Sequence, residues 1–157
     1  MKKAIFVGSF DPFTIGHADI VKRALAIADN IVIGVGINEN KKYSIPTEER
    51  ISNIAKIYAD NPRVEVKGYE GLTVDFAIRE GAQCVVKGVR NVKDFEYERE
   101  QADINRLLSG LETVILFASP DLAFISSSMV RTLALNGKDI TPYLPSPSKT
   151  DPSPSKK

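Results

Sequence analysis

An alternation of two patterns constrains this chain more than any other feature. Short runs of mostly Val and Ile are separated by longer stretches with helical spacing. The runs fall at Ala4–Val7, Ile31–Ile37, Val64–Lys67, Cys84–Lys87 and Thr113–Phe117. A strand that is apolar on successive residues must be covered on both faces, as in a parallel sheet between helix layers. The first helical pattern, about His17–Ala28, sets Ile20, Val21, Ala24, Leu25 and Ala28 on one stripe. The second, about Thr47–Tyr58, opens behind Pro46 with Glu48 and Glu49 at the end that favours acids. The third, Val74–Glu80, is stopped by Gly81, and the fourth, Asp94–Leu108, ends near Gly110. The fifth, Ser127–Leu135, is closed by Asn136 and Gly137. This order predicts an α/β domain with an open, doubly wound five-stranded parallel sheet.

Composition narrows the function. With 157 residues the chain is the size of one domain. Its 21 Lys and Arg against 20 Asp and Glu leave a net charge of +1. That balance lacks the basic excess of a protein that coats nucleic acid, yet it allows a local cationic pocket. No apolar run approaches the roughly 20 residues that span a bilayer, so no membrane partner is expected. The first apolar run is broken at once by Gly8, Ser9 and Asp11, too soon for a secretory leader. The single cysteine, Cys84, cannot form an internal disulfide. It reads as a small buried strand residue and fits a reducing compartment. One histidine, His17, beside one cysteine cannot build a His/Cys zinc cage. No metal held by protein side chains is expected; a metal would arrive with the substrate. After Leu144 the chain turns to PSPSKTDPSPSKK, which cannot bury a core. The predicted domain is therefore 1–144, followed by a disordered tail over 145–157.

Candidate chemistry gathers where strands end. In an open α/β sheet, ligands bind beyond the carboxyl ends of the strands. The first strand runs into Gly8-Ser9-Phe10-Asp11-Pro12-Phe13-Thr14-Ile15-Gly16-His17. Ser9 and Thr14 offer hydroxyls, and His17 lies in the first helical turn, where unpaired N–H groups favour an anion. A tight turn with a capping Thr and an exposed His accounts for the same residues. Neither the Walker loop nor the dinucleotide fingerprint is present. After the fifth strand, Ile125-Ser126-Ser127-Ser128 provides hydroxyls at a helix start. They serve either as a plain cap or as a phosphate cradle. The fourth strand is expected to end on Lys87, with Arg90 in the following loop. Two cations there point to a polyanionic ligand, or to a solvated loop paired with Asp94 and Glu96. Lys41 and Lys42 follow the second strand. Phe95 and Tyr97 of the fourth helix read most simply as core residues, with a subunit interface as the other reading.

In this order, GSFDPFTIGH, KGVRNVKDFEYE and FISSSMVR resemble the bacterial phosphopantetheine adenylyltransferases. Thr14-Ile15-Gly16-His17 is similar to the first-loop signature of the nucleotidyltransferase superfamily to which they belong. The likeness spans roughly Lys2 to Leu144. It implies a Rossmann-like domain of nucleotidyltransferase type and a cytoplasmic homohexamer. The implied reaction joins ATP and 4′-phosphopantetheine, with Mg²⁺ on the ATP phosphates, to give dephospho-CoA and pyrophosphate. Coenzyme A would be a feedback ligand. By this resemblance Ser9 touches both substrates, Phe10 lies on the ATP side, and His17 holds ATP phosphate in the transition state. Lys41 reaches the reacting phosphates, and Arg90 joins His17 and Lys41 as catalytic. Thr73 and Lys87 meet the phosphopantetheine. Gly88, Val89, Arg90 and Glu98 belong to the ATP side, as does the segment Leu122, Ala123, Phe124, Ile125, Ser126, Ser127 and Ser128. Ser127 and Ser128 are assigned to the β- and γ-phosphates. Two departures stand out: Lys87 occupies a position where arginine is usual, and the tail replaces a terminal helix.

A phosphomonoester is already an anionic nucleophile, so the implied chemistry needs no strong base and no covalent intermediate. It needs two polyanions held in line and charge neutralised as it develops. Two other readings remain: a sister nucleotidyltransferase with another phosphorylated acceptor, and a non-catalytic nucleotide-binding module.

Overall fold

The computed structural model describes residues 2–146. Five parallel strands, β1 (Lys3–Gly8), β2 (Asn30–Gly36), β3 (Val64–Tyr69), β4 (Cys84–Val89) and β5 (Glu112–Phe117), form one sheet. The helices are α1 (Ile15–Ala24), α2 (Thr47–Ile57), α3 (Thr73–Glu80), α4 (Val92–Ser109) and α5 (Ser127–Leu135). A single 3-10 turn, Thr141–Tyr143, follows them. Strand order is β3-β2-β1-β4-β5. The chain therefore reverses its direction of travel across the sheet between β1 and β4, which is where such folds bind ligands. The doubly wound sheet predicted from the alternation is the observed one.

Burial explains why the strand runs lack polar alternation. Ala4, Phe6, Ile31, Ile33, Val35 and Val86 pack on the α1 side of the sheet, with Ile20, Val21, Ala24 and Ile54. Their strand neighbours Ile5, Val7, Val32 and Val85 pack on the opposite face, against Phe76 and Ala77 of α3. Both side-chain directions of β1 and β2 are thus inside. Cys84 sits half-buried against the first of these cores.

Several boundaries differ from the sequence expectation, each for a local reason. Helix α1 begins at Ile15, ahead of the expected His17, because Thr14 caps it; it ends at Ala24, with Leu25 as its C-cap. Strand β4 does not end on Lys87: Gly88 and Val89 continue the ladder opposite Leu116 and Phe117. Helix α4 starts at Val92, where Asn91 accepts the Asp94 N–H at 2.9 Å. The expectation that Phe95 and Tyr97 pack in the core is overturned. They are 41% and 61% exposed, and α4 buries none of its 18 residues. No helix among the described residues is long and apolar enough to cross a membrane. The tail assignment falls largely on residues 147–157, outside the described residues.

Candidate active site

Two clefts open side by side at the carboxyl ends of the strands. One, of about 300 Å³, lies over β1 and β2 and is walled by Tyr69, Thr73 and the α4 residues Tyr97, Gln101 and Asn105. The other, of about 360 Å³, lies between the loop after β1 and the start of α5. They share Val7, Gly8, Ser9, Lys41, Lys87 and Glu98. A molecule in each would meet over that common wall.

The loop after β1 is built around the α1 cap. The Thr14 side chain accepts the His17 N–H, and the His17 Nδ1 accepts the Thr14 N–H at 2.9 Å. This is a capping box with histidine in the place usual for Glu or Gln. The Thr14 hydroxyl accepts in the cap, one of its two sequence readings, and Thr14 also lines the second cleft. Because Nδ1 accepts, the neutral ring carries its proton on Nε2. Burial, and then the nearby charges of Lys87 and Arg90, lower the His17 pKa to about 4. At neutral pH the ring is uncharged and offers one N–H donor to the second cleft, which His17 lines. The rings of Phe10 and Phe13 hold it from the sides, with centroids 5.1 and 5.3 Å away.

Cations surround the shared wall. Lys41 Nζ donates to Ser9 Oγ at 3.1 Å. Lys87 Nζ donates to the Val7 carbonyl at 3.2 Å and lies 3.4 Å from the Glu98 carboxylate. Arg90 is held by Asp94 through Nε at 2.9 Å and Nη2 at 3.2 Å. Of the two acids foreseen as its partners, Asp94 is the one engaged. The cap of α5 is Ser126, whose Oγ accepts the Met129 N–H at 3.0 Å. Ser127 Oγ donates to the Pro12 carbonyl at 2.8 Å, tying this segment to the first loop. Ser128 keeps an exposed hydroxyl at the mouth of the second cleft.

The structure thus brings together His17, Lys41, Lys87, Arg90, Ser9 and Glu98, with Thr73 in the first cleft only. Gly88, Leu122, Ile125 and Ser126 line the second cleft. Phe10 lines it too, although its ring is buried beneath. Val89, Ala123 and Phe124 do not line either cleft; Val89 is buried in the sheet and Phe124 faces outward. Sequence reasoning missed two buried polar groups behind the first loop, Asp11 and Arg50. It also missed that the Tyr97–Asn105 face of α4 walls the first cleft. A buried arginine carries no local mark, since Thr47-Glu48-Glu49-Arg50 reads as a polar first turn.

Two adjoining clefts with a cationic common wall, on a parallel sheet at its switch point, describe a nucleotidyltransferase. Residues 5–133 match the family described as Cytidylyltransferase-like. The chain is 57% identical to a phosphopantetheine adenylyltransferase of Phocaeicola vulgatus, over 96% of this chain and 100% of that one. It is 54% identical to that of Bacteroides thetaiotaomicron, over 92% and 96%. The chain belongs to the phosphopantetheine adenylyltransferase family. The fold recurs in a bifunctional NMN adenylyltransferase/ADP ribose pyrophosphatase from Francisella tularensis, with a TM-score of 0.70 at 14% identity. That match covers 94% of this chain and 46% of the bifunctional one. A lipopolysaccharide core biosynthesis protein from Thermoplasma volcanium shares it with a TM-score of 0.54 at 20% identity, over 76% and 97%.

Proposed function

We infer that the chain transfers the adenylyl group of ATP to 4′-phosphopantetheine, giving dephospho-CoA and pyrophosphate, the penultimate step of coenzyme A synthesis. The observation that carries this reading is the common wall of the two clefts. One cleft would take the nucleotide and the other the acceptor, so their phosphates would approach across Ser9, Lys41 and Lys87. An oxygen of the acceptor phosphate attacks the α-phosphorus of ATP. A new P–O bond forms there, the α–β bridging bond breaks, and pyrophosphate leaves with the electron pair.

The residue roles follow from charge and geometry. His17 donates Nε2–H to the transferring phosphate, without adding a cation that would hold the product. Lys41 neutralises charge between the two substrates. Lys87 faces the acceptor phosphate, and Thr73 meets the pantetheine arm. Arg90, fixed by Asp94, faces the ATP phosphates, together with Ser128 and the N-terminus of α5. No group of three His, Cys, Asp or Glu side chains converges among the described residues. Two carboxylates that line the second cleft, Asp94 and Glu98, already face Arg90 and Lys87. In this reading Mg²⁺ would be held by the ATP phosphates and would supply charge neutralisation for the leaving group, while Lys41, Arg90 and His17 hold the phosphates from the protein side.

The finer assignments are part of the same reading. Coenzyme A would compete for the acceptor cleft. The catalytic domain is 1–144, and the compartment is the cytoplasm. Self-association as a homohexamer is supported by α4, where Ile104, Leu107 and Leu108 are exposed apolar side chains. Sedimentation of the purified chain checks that assignment, and a monomer would remove it.

Pyrophosphate release tests the reaction, using ATP and Mg²⁺ with 4′-phosphopantetheine, nicotinate mononucleotide or glycerol 3-phosphate as parallel acceptors. Release with phosphopantetheine alone is expected. Release with another acceptor alone would move the chain to a sister activity. No release from folded protein that binds ATP would favour a non-catalytic module.

A further inference from the structure

We propose that the buried side chains of Arg50 and Asp11 are positioning residues for this reaction: they clamp Ile45 between them and so hold Lys41 against Ser9 at the wall shared by the two clefts. The inference rests on the adenylyl-transfer reading above. Lys41 lies in the segment that leaves β2 at Gly36 and enters α2 at Thr47. Such a segment, with Lys41 itself exposed, needs an anchor to deliver its ammonium to a fixed point.

One guanidinium supplies it. Arg50 is 1% exposed. Its Nη1 donates to the Gly36 carbonyl at 3.3 Å, at the start of the segment, and to the Ser9 carbonyl in the first loop. Its Nε donates to the Ile45 carbonyl at 3.1 Å, near the end of the segment, and Nη2 to Thr47 Oγ1 at 2.9 Å. Its plane covers the Tyr43 ring at 3.8 Å. Both ends of the Lys41 segment and the Ser9 peptide are thus gathered on one planar fork, which an ammonium could not span.

Asp11 closes the clamp from the other side. Its buried carboxylate accepts the Ser44 N–H at 2.8 Å and the Ile45 N–H at 2.9 Å. Ile45 is therefore held through both its N–H and its C=O. Between Ser9 and Asp11, Phe10 has φ +48°, a left-handed conformation unfavourable for a bulky residue. It persists because its neighbours on both sides are tied. Among the described residues neither Arg50 nor Asp11 takes part in an ion pair. Buried charged groups persist where their polar atoms are hydrogen-bonded. Their partners here are loop carbonyls and N–H groups, which is what orientation of a loop requires.

The test is a double-mutant cycle on the full chain, read both as kcat and as ATP affinity. Arg50→Met and Asp11→Asn are each combined with Lys41→Ala. Each single clamp variant is expected to lower kcat by about tenfold to a hundredfold, the scale of small displacements of a reacting group. In the Lys41→Ala background the same changes should cost less than about twofold, because the group they position is gone. Losses that multiply would overturn the proposal and leave Arg50 and Asp11 with a structural role only. Arg50→Lys keeps the charge without the fork and should fold while staying impaired; full activity would also overturn the clamp. If Arg50→Met does not fold, Asp11→Asn, which keeps the side-chain shape, decides the cycle. A wild-type chain that binds ATP but releases no pyrophosphate would sink the reaction reading, and the cycle would then be decided on ATP affinity.

Discussion

Replacing His17 by alanine separates the helix cap that the structure shows from the phosphate contact proposed above. The Nδ1 atom closes the α1 cap by accepting the Thr14 N–H at 2.9 Å. Losing a cap of this kind costs about 1 kcal/mol of stability. The other nitrogen is the only donor of a ring that stays neutral, because burial, Lys87 and Arg90 lower its pKa to about 4. If Nε2–H meets the charge that builds on the transferring phosphate, its removal should lower kcat by roughly 100- to 1,000-fold. That corresponds to about 3–4 kcal/mol of transition-state stabilisation. Initial rates of pyrophosphate release over a grid of ATP and 4′-phosphopantetheine concentrations give kcat and both KM values. Urea unfolding of the same variant gives the stability term. We expect a large loss in kcat, near-constant KM values and a small fall in the unfolding midpoint. A rise in the KM for ATP with kcat preserved would refute the argument, since His17 would then bind ground state and transition state alike. The pH profile is a second check. Protonated His17 would be a third cation beside Lys87 and Arg90, so its limb in kcat/KM for ATP belongs near pH 4. A limb at the ordinary histidine value, absent in His17→Ala, would contradict the environment described.

The same ring predicts acid sensitivity. Its folded pKa lies below its unfolded value of 6.5, so the unfolded chain takes up the proton first and stability falls as pH drops from 6.5 toward 4. The span is on the order of 3 kcal/mol, and unfolding at several pH values should show a shallower slope in His17→Ala than in wild type. An equal slope would mean the ring titrates normally. Lys87→Arg should be tolerated or should mildly lower the KM for 4′-phosphopantetheine, because a guanidinium can fork between phosphate and Glu98; a large loss of kcat would remove Lys87 from the acceptor pocket. Gly34→Ala should destabilise by about 1–3 kcal/mol, since the added methyl would sit 2.5 Å from Phe76 Cε1 and 2.9 Å from Val7 Cγ1. Chemical denaturation measures this, and an unchanged midpoint would mean that the β2–α3 contact is looser than described. Thr73→Ala should raise the KM for 4′-phosphopantetheine and leave that for ATP unchanged, because Thr73 lines one cleft only; equal changes in both would count against the division of the clefts.

The sequence by itself determined the layers and the rim. Successive interior residues of β1 and β2 are apolar on both faces, and only a sheet covered on both sides tolerates that, so the α/β class was legible from five short runs. The candidate rim was legible because its residues lie at or just beyond strand ends, and parallel strands put those ends on one edge. The start of α5 was readable too, since Ser126 announces its own cap. Other features depended on contacts between residues far apart in the chain. Strand β4 runs past Lys87 because β5 supplies partners for Gly88 and Val89, which no local pattern contains. Phe95 and Tyr97 of α4 read as core from their type, yet α4, which packs on β4, β5 and α3, buries none of its residues and leaves both rings exposed. The Thr14 hydroxyl has two possible employments, and the position of His17 shows that it accepts in the cap. Arg50 and Asp11 look like surface residues in sequence. They are buried because a loop, a strand end and a helix start converge on them, bringing backbone groups that must be hydrogen-bonded once water is excluded. Local propensity and apolar periodicity are written in neighbouring residues. The satisfaction of buried polar groups is decided only when distant segments meet.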